Sequence, residues 1–204
     1  MYAEGAGIAR TLPEAVVVPR DAEDLLPLVE WAGANRVKLI PRGSGSGMAG
    51  GAVGPGVVVD CSLLKHIGPV DVARRTVRCG PGATRSDVNA TANASGLRFP
   101  VDPSSGPFCT MGGMTATNAS GARTLRFGAT RRWIESIDCV LADGTFAAVR
   151  RDAAPPSSPA LARITNEVLP RWHGHAGLRH PVRKESSGYA VASAAESGDL
   201  VDLL

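Results

Sequence analysis

Two stretches of this chain are built from residue types that leave the backbone bare. The first runs Pro41-Arg42-Gly43-Ser44-Gly45-Ser46-Gly47-Met48-Ala49-Gly50-Gly51. Successive glycines let several main-chain N–H groups converge on one anion, forming a nest. The hydroxyls of Ser44 and Ser46 add donors, and any side chain larger than serine would block the approach. A phosphate-bearing ligand suits such a loop. A plain string of tight turns would use the same residues. Arg42 either adds a charge to the site or serves as a structural arginine. The second stretch, Asp102 to Gly121, is again small, polar and glycine-punctuated. It reads as a turn followed by a short helix with an almost bare surface. That surface suits a large flat ligand lying against backbone, and a tightly packed helix crossing would look the same.

Familiar phosphate motifs do not fit the first loop. Gly45-Ser46-Gly47-Met48-Ala49-Gly50 satisfies GxGxxG. That fingerprint has to open a helix whose N-terminus holds the pyrophosphate. Here Ala52-Val53-Gly54-Pro55-Gly56 and then a strand follow. No GK[ST] occurs, so a P-loop is excluded as well. Metal chemistry has little support. Cys61, Cys79, Cys109 and Cys139 stand singly, with no CxxC pair. Trp172-His173-Gly174-His175, with His180 nearby, lacks a carboxylate partner at clear spacing and reads as a polar loop.

Composition sets the wider bounds. The 204 residues carry a formal net charge of +3, too little to argue for nucleic acid. Lysine occurs only at Lys38, Lys65 and Lys184, so the basic surface is arginine, clustered at Arg74-Arg75, Arg131-Arg132 and Arg150-Arg151. With 24 glycines and 15 prolines, the chain is well above the usual share of about 12% for the two together, while aromatic residues make up only 4%. No apolar run approaches the roughly 18–20 residues needed to span a bilayer. The first residues lack the basic start and apolar core of a secretory signal. A reduced cytoplasmic setting follows as the expectation, with a peripheral place at the inner membrane as its variant.

The elements that must carry these loops are legible in outline. Ala15-Val16-Val17-Val18 reads as a buried strand ended by Pro19. Asp21 to Asn35 reads as a helix capped by Asp21 or Asp24, with Pro27 in its first turn. Val37 to Ile40 and Val57 to Asp60 are the next strands. Strand, helix, strand in this order argues for a parallel unit. Arg75 to Cys79 is a further strand. Thr84 to Gly96 is a helix with Thr84 and Asp87 spaced as a capping box and Gly96 at its left-handed end. Ile134 to Leu141 and Thr145 to Val149 form a hairpin across Asp143-Gly144. Pro159 to Leu169 returns to helix, capped by Ser158. The tail from Arg171 shows no clear periodicity.

Taken together and in order, these motifs resemble a known family. The first loop looks like the pyrophosphate loop of flavin-dependent oxidoreductases of the vanillyl-alcohol oxidase type, which carry the FAD-binding PCMH-type domain. Asp102-Pro103-Ser104-Ser105, then Met111-Gly112-Gly113, then Asn118-Ala119-Ser120-Gly121, resembles the segment beside the isoalloxazine ring in the glycolate oxidase and D-lactate dehydrogenase branch. Ala15 to Arg20, Gly80-Pro81-Gly82 and Val140 to Gly144 fall in matching order. The resemblance runs from about Leu12 to Leu204.

It implies an α+β fold of two α/β subdomains, about 1–68 and 69–204, with FAD between them. By the match, Pro41, Arg42, Gly43, Ser44, Gly45, Ser46, Gly47 and Met48 would hold the pyrophosphate. Pro81, Gly82, Pro103, Thr110, Met111, Gly112, Gly113, Thr117, Asn118, Ser120 and Gly121 would line the rest of the cofactor. None of the four histidines, His66, His173, His175 and His180, lies in the first loop, so FAD is expected to be non-covalent. The implied reaction is oxidation of a D-2-hydroxy acid of the D-lactate, glycolate or D-2-hydroxyglutarate type by hydride transfer to flavin, with the electron acceptor unassigned. Arg183 or Lys184 would meet the substrate carboxylate, or form an ordinary exposed basic turn. No catalytic base is assigned. Members of this branch continue with a further glycine-rich FAD segment and a substrate domain, so the chain is expected to stop short of both. Those parts, or an iron–sulfur partner, would lie outside it. The rival readings are a non-catalytic FAD- or nucleotide-binding subunit, and a relative that reduces a cell-wall precursor with a nicotinamide donor.

Overall fold

The computed structural model describes residues 1–154, 157–172 and 189–203. Its first part is a parallel unit. Strand β1 (Ala15–Val17) leads through a 3-10 turn into helix α1 (Leu25–Asn35), then to β2 (Leu39–Arg42) and β3 (Val57–Asp60). The sheet order is β1-β3-β2, with both neighbours parallel to β3. The central strand explains its own composition. Val57, Val58 and Val59 are all buried, as a strand covered on both faces requires. Asp21 caps the 3-10 turn by accepting from the Glu23 N–H at 3.0 Å, so the α-helix proper begins only at Leu25. β2 begins two residues later than its valine suggests and takes in Pro41 and Arg42. Pro41 is tolerated because β2 is an edge strand of this sheet.

The second part starts with an antiparallel hairpin, β4 (Ile67–Asp71) and β5 (Thr76–Cys79). Only β5 is evident from sequence. Gly68 and Pro69 disguise β4, and its register shifts between Ile67 and Val70. Helix α2 (Arg85–Asn93) is capped by Thr84, whose hydroxyl accepts from the Asp87 N–H at 3.1 Å and donates to the Asp87 carboxylate at 2.8 Å. It ends short of Gly96, which takes a φ of 67° in the following turn. Helices α3 (Met111–Ala116) and α4 (Thr124–Phe127) follow. Ala83, Val88, Val101, Cys109, Met111 and Met114 make one core beneath them.

Strands β6 (Ser136–Val140) and β7 (Phe146–Arg150) form the expected hairpin, with Gly144 at a φ of 80° in its turn. The run after Ser158 is α-helical only over α5 (Pro159–Arg163). It continues as a π turn over Ile164–Val168 and a 3-10 turn over Leu169–Trp172. Two local groups lie at the change. Pro170 cannot donate to the preceding turn, and the Thr165 hydroxyl donates back to the Leu161 carbonyl at 3.0 Å. Helix α6 (Val191–Ser197) and a last 3-10 turn close a second core around Ala147, Val149, Leu161, Leu169, Ala194 and Val201. Arg151 ties that end down. It reaches Asp202 at 2.7 Å and Asp199 at 3.5 Å, and donates to the carbonyls of Ile134 and Arg131.

The Thr84 cap yields a measurable consequence. Thr84→Ala should cost about 1 kcal/mol and lower the melting temperature by roughly 2–4 °C. Thr84→Ser should restore it. Thermal unfolding followed by circular dichroism checks both variants.

Candidate functional site

Strand β2 delivers the first glycine loop at its carboxyl end, against the N-terminal end of α3. A Cβ at Gly43 would lie 2.2 Å from the Thr110 Oγ1, so the loop touches the N-cap of α3 only because residue 43 has no side chain. Gly45 turns the chain with a φ of 71°, and a Cβ there would strike the Arg42 guanidinium at 2.4 Å. Gly47 faces open space. Among the described residues, none of the main-chain N–H groups from Ser44 to Gly50 donates to a protein acceptor. The Ser44 hydroxyl donates to that of Ser46 at 3.1 Å. Met48 extends into solvent. Seven successive amides are thus presented by a segment whose ends are fixed by a sheet. An anion bridged by two phosphates fits this cradle, since glycines keep its floor free of side chains.

Arg42 does not extend into this cradle. It is buried, with Nη1 donating to the Ala52 carbonyl at 3.0 Å and Nη2 to the Glu4 carbonyl at 2.9 Å. Its guanidinium lies 5.6 Å from the centre of the Tyr2 ring. Of the two readings of this arginine, the structural one describes its contacts. The Tyr2 hydroxyl donates to the Asp60 carboxylate at 2.7 Å, and the Ser62 N–H donates to the same group at 2.9 Å. Burial works to raise the Asp60 pKa. The bonds from Tyr2 and Ser62 and the charge of Arg42 outweigh it, so the carboxyl sits below its ordinary value. The Ala6 N–H donates to the Gly45 carbonyl at 3.0 Å. Sequence reasoning passed over this N-terminal contact. Its signal was there in Gly5-Ala6-Gly7, small residues placed where backbone meets backbone.

The second stretch divides into residues that pack and residues that stay open. A Cβ at Gly112 would lie 2.5 Å from Pro81, one at Gly82 2.1 Å from the Cys61 carbonyl, and one at Gly121 1.7 Å from the Asp102 carbonyl. These three glycines make backbone crossings. The first amides of α3 are already used. Met111 N–H donates to the Ala83 carbonyl, Gly112 N–H to the Pro81 carbonyl, and Gly113 N–H to the Thr110 hydroxyl. The unused donors are therefore on the glycine loop and not at this helix end. Asn118 is buried at a φ of 43°, and its Oδ1 accepts from the Arg131 N–H at 2.9 Å. It braces the exit from α3. Met111 is buried in the core, Pro103 and Ser120 are half-buried, and Thr117 is exposed. Pro41 to Met48 and Thr110 to Gly113 are brought together through the Gly43–Thr110 contact. Pro81 packs against the first turn of α3, its carbonyl accepting from the Gly112 N–H, and the Gly82 N–H donates to the Leu64 carbonyl.

Arg183 and Lys184 lie outside the described residues, as do His173, His175 and His180. Among the described residues, no group of three or more His, Cys, Asp or Glu side chains could hold a metal, and no helix is long and apolar enough to cross a membrane. A groove of about 340 Å³ lies elsewhere, lined by Arg98, Arg123, Leu125, Arg126 and Phe127. The Arg98 and Arg126 guanidiniums sit 5.6 and 5.2 Å from the centre of the Phe127 ring. The groove's arginines are exposed. None of the residues lining this groove belongs to the glycine loop. The loop carries the stronger functional signal, because its consecutive backbone donors lack protein partners.

The family described as FAD binding domain matches residues 13–150. A D-2-hydroxyglutarate dehydrogenase of Stutzerimonas stutzeri is 32% identical over 142 residues, covering 69% of this chain and 31% of that protein. A D-lactate dehydrogenase of Archaeoglobus fulgidus is 36% identical over 131 residues, covering 63% and 29%. The chain thus spans about three tenths of the length of these curated relatives. Among solved structures, a xylooligosaccharide oxidase from Myceliophthora thermophila aligns with a TM-score of 0.66 at 21% identity, over 76% of this chain and 33% of that one. That likeness supports the fold alone. With the mixed helix and strand architecture and the glycine cradle, these matches place the chain in the FAD-binding domain family of PCMH type.

Proposed function

We propose that this chain is the FAD-holding part of a flavin-dependent oxidoreductase acting on a D-2-hydroxy acid of the D-lactate, glycolate or D-2-hydroxyglutarate type. The observation that carries the reading is the row of seven unpartnered amides from Ser44 to Gly50. The FAD pyrophosphate lies on Gly43 to Met48, between a unit of about residues 1–68 and one of about 69–204. Pro81, Gly82, Thr110, Gly113, Thr117 and Ser120 line the remainder, while Pro103, Met111, Gly112, Asn118 and Gly121 hold that wall in shape. FAD, when bound, supplies the hydride acceptor for oxidation of the hydroxyl-bearing carbon.

The chain's own contribution is placement. Neutral N–H groups fixed by a sheet meet the pyrophosphate without reorganising at the moment of binding. Arg42 acts through the loop's shape. The substrate is an anion, and its carboxylate meets Arg183 or Lys184. The groove of Arg98, Arg123 and Arg126 adds positive potential on the same unit. The catalytic base and most of the substrate pocket belong to sequence that the longer relatives have beyond the matched region, in a substrate domain or a partner subunit. The FAD is held without a covalent bond, since no histidine, cysteine or tyrosine lies between Pro41 and Gly51.

Three measurements test this. The purified protein should take up FAD and show flavin bands that travel with it through gel filtration. A protein that takes up none would overturn the cofactor assignment. An acidic side chain at Gly47 should weaken FAD binding about tenfold or more. Gly47 is the suitable position because it faces open space, whereas any side chain at Gly45 strikes Arg42 and strains a positive φ. Gly47→Asp should therefore leave the melting temperature of the apoprotein unchanged while the Kd rises. An unaltered Kd would remove the pyrophosphate from this loop. Acid precipitation of the FAD complex should leave all flavin in the supernatant, and flavin in the pellet would refute non-covalent binding.

A further inference from the structure

We propose that the N-terminal segment Tyr2–Arg10 is a strap that presets the glycine loop for the pyrophosphate, with Tyr2 as its latch. The inference rests on the FAD reading above. The strap runs along the face of the loop and meets it backbone to backbone. The Ala6 N–H donates to the Gly45 carbonyl at 3.0 Å. A Cβ at Gly7 would lie 2.1 Å from the Met48 carbonyl, and one at Gly5 3.2 Å from the Gly45 carbonyl. Gly50, at a φ of 80°, packs against the Ala9 methyl, with 2.9 Å left for a Cβ. The strap closes on itself through an antiparallel bridge between Glu4 and Arg10.

The geometry decides which way the loop's donors point. A peptide unit is planar and trans, so its carbonyl and its N–H lie on opposite edges. The Gly45 carbonyl is held toward the strap by Ala6. The N–H of the same peptide unit, that of Ser46, therefore points away from the strap, to the side where the loop has no protein partner. The Met48 carbonyl is likewise turned toward Gly7, which directs the Ala49 N–H outward. Without the strap each of these peptide units is free to flip, and an anion would have to order them on arrival. Ordering them in advance strengthens binding without adding a contact to the ligand.

Tyr2 secures this arrangement from below. Its hydroxyl holds Asp60 at the end of the central strand, and its ring lies over the Arg42 guanidinium. Arg42 in turn holds the Glu4 carbonyl of the strap and the Ala52 carbonyl beyond the loop. Asp60, Arg42 and Tyr2 thus join the sheet, both ends of the loop and the strap in one part-buried cluster. Tyr2 bonds to Asp60 and stacks on Arg42, and acts through them as a positioning residue.

The experiment is FAD affinity by flavin fluorescence for the wild-type protein, Tyr2→Phe and Gly7→Ala, at a temperature where circular dichroism shows all three fully folded. Under that condition a variant that only loosens the fold leaves the Kd unchanged. Tyr2→Phe keeps the ring on Arg42 and removes the bond to Asp60, and should weaken FAD about five- to tenfold. Gly7→Ala pushes on the Met48 carbonyl and should weaken it more than tenfold. Wild-type uptake with both variants within twofold of it overturns the strap and leaves the cofactor assignment standing. A loss in Gly7→Ala alone overturns Tyr2 as the latch. Failure of the wild-type protein to take up FAD overturns the cofactor assignment, and the strap with it.

Discussion

Close approach of other groups to bare main chain is the constraint on which the rest depends. At Gly43, Gly82, Gly112 and Gly121 another part of the protein stands where a Cβ would be, within 1.7 to 2.5 Å. The neighbours at these points are the Thr110 side chain, the Cys61 carbonyl, Pro81 and the Asp102 carbonyl. These contacts stitch the parallel sheet, the β5–α2 connection and α3 into one surface. Replacing any of them with a larger residue would separate layers and not merely crowd a side chain. The glycine content seen in the composition is therefore mostly architectural, and only part of it is left for a ligand.

That division explains why the loop stands out. Elsewhere polar groups have found partners. No buried side-chain N or O among the described residues lacks a hydrogen bond, and the first amides of α3 are spent on Pro81, Ala83 and Thr110. Backbone donors without partners are unfavourable unless water or a ligand meets them. From Ser44 to Gly50 they occur consecutively, at the carboxyl end of a parallel strand, where open α/β sheets place their ligands. The arrangement gives an anion orientation more than charge. Arg42, next to the loop, is spent on carbonyls.

Much of this was legible in sequence because it rests on local signals. The parallel unit followed from valine runs separated by a capped helix. The Thr84 cap followed from its spacing to Asp87, and the β6–β7 hairpin from Asp143-Gly144. The glycine loop followed from its run of small residues between two strands. The misreadings have physical causes. Pro41 and Arg42 read as part of the loop but close strand β2, where an edge strand accepts the proline. β4 was hidden by Gly68 and Pro69, and its pairing with β5 is set by tertiary contact. The helix after Ser158 was drawn too long, since periodicity does not register that Pro170 disrupts the preceding turn.

The site shows the same limit at finer scale. Glycines that cradle and glycines that cross have one appearance in sequence, and only the position of the neighbouring atom separates Gly47 from Gly121. Arg42 carried two readings for a similar reason, because nothing in sequence shows a guanidinium turning back onto Glu4, 38 residues away. The Tyr2–Asp60 bond spans 58 residues, and neither residue belongs to a motif. Such long-range pairs set the shape of a short-range motif. A glycine-rich loop alone is an ensemble of nests and turns. It becomes a specific anion site when the sheet fixes its ends and a second backbone fixes the direction of its peptide planes.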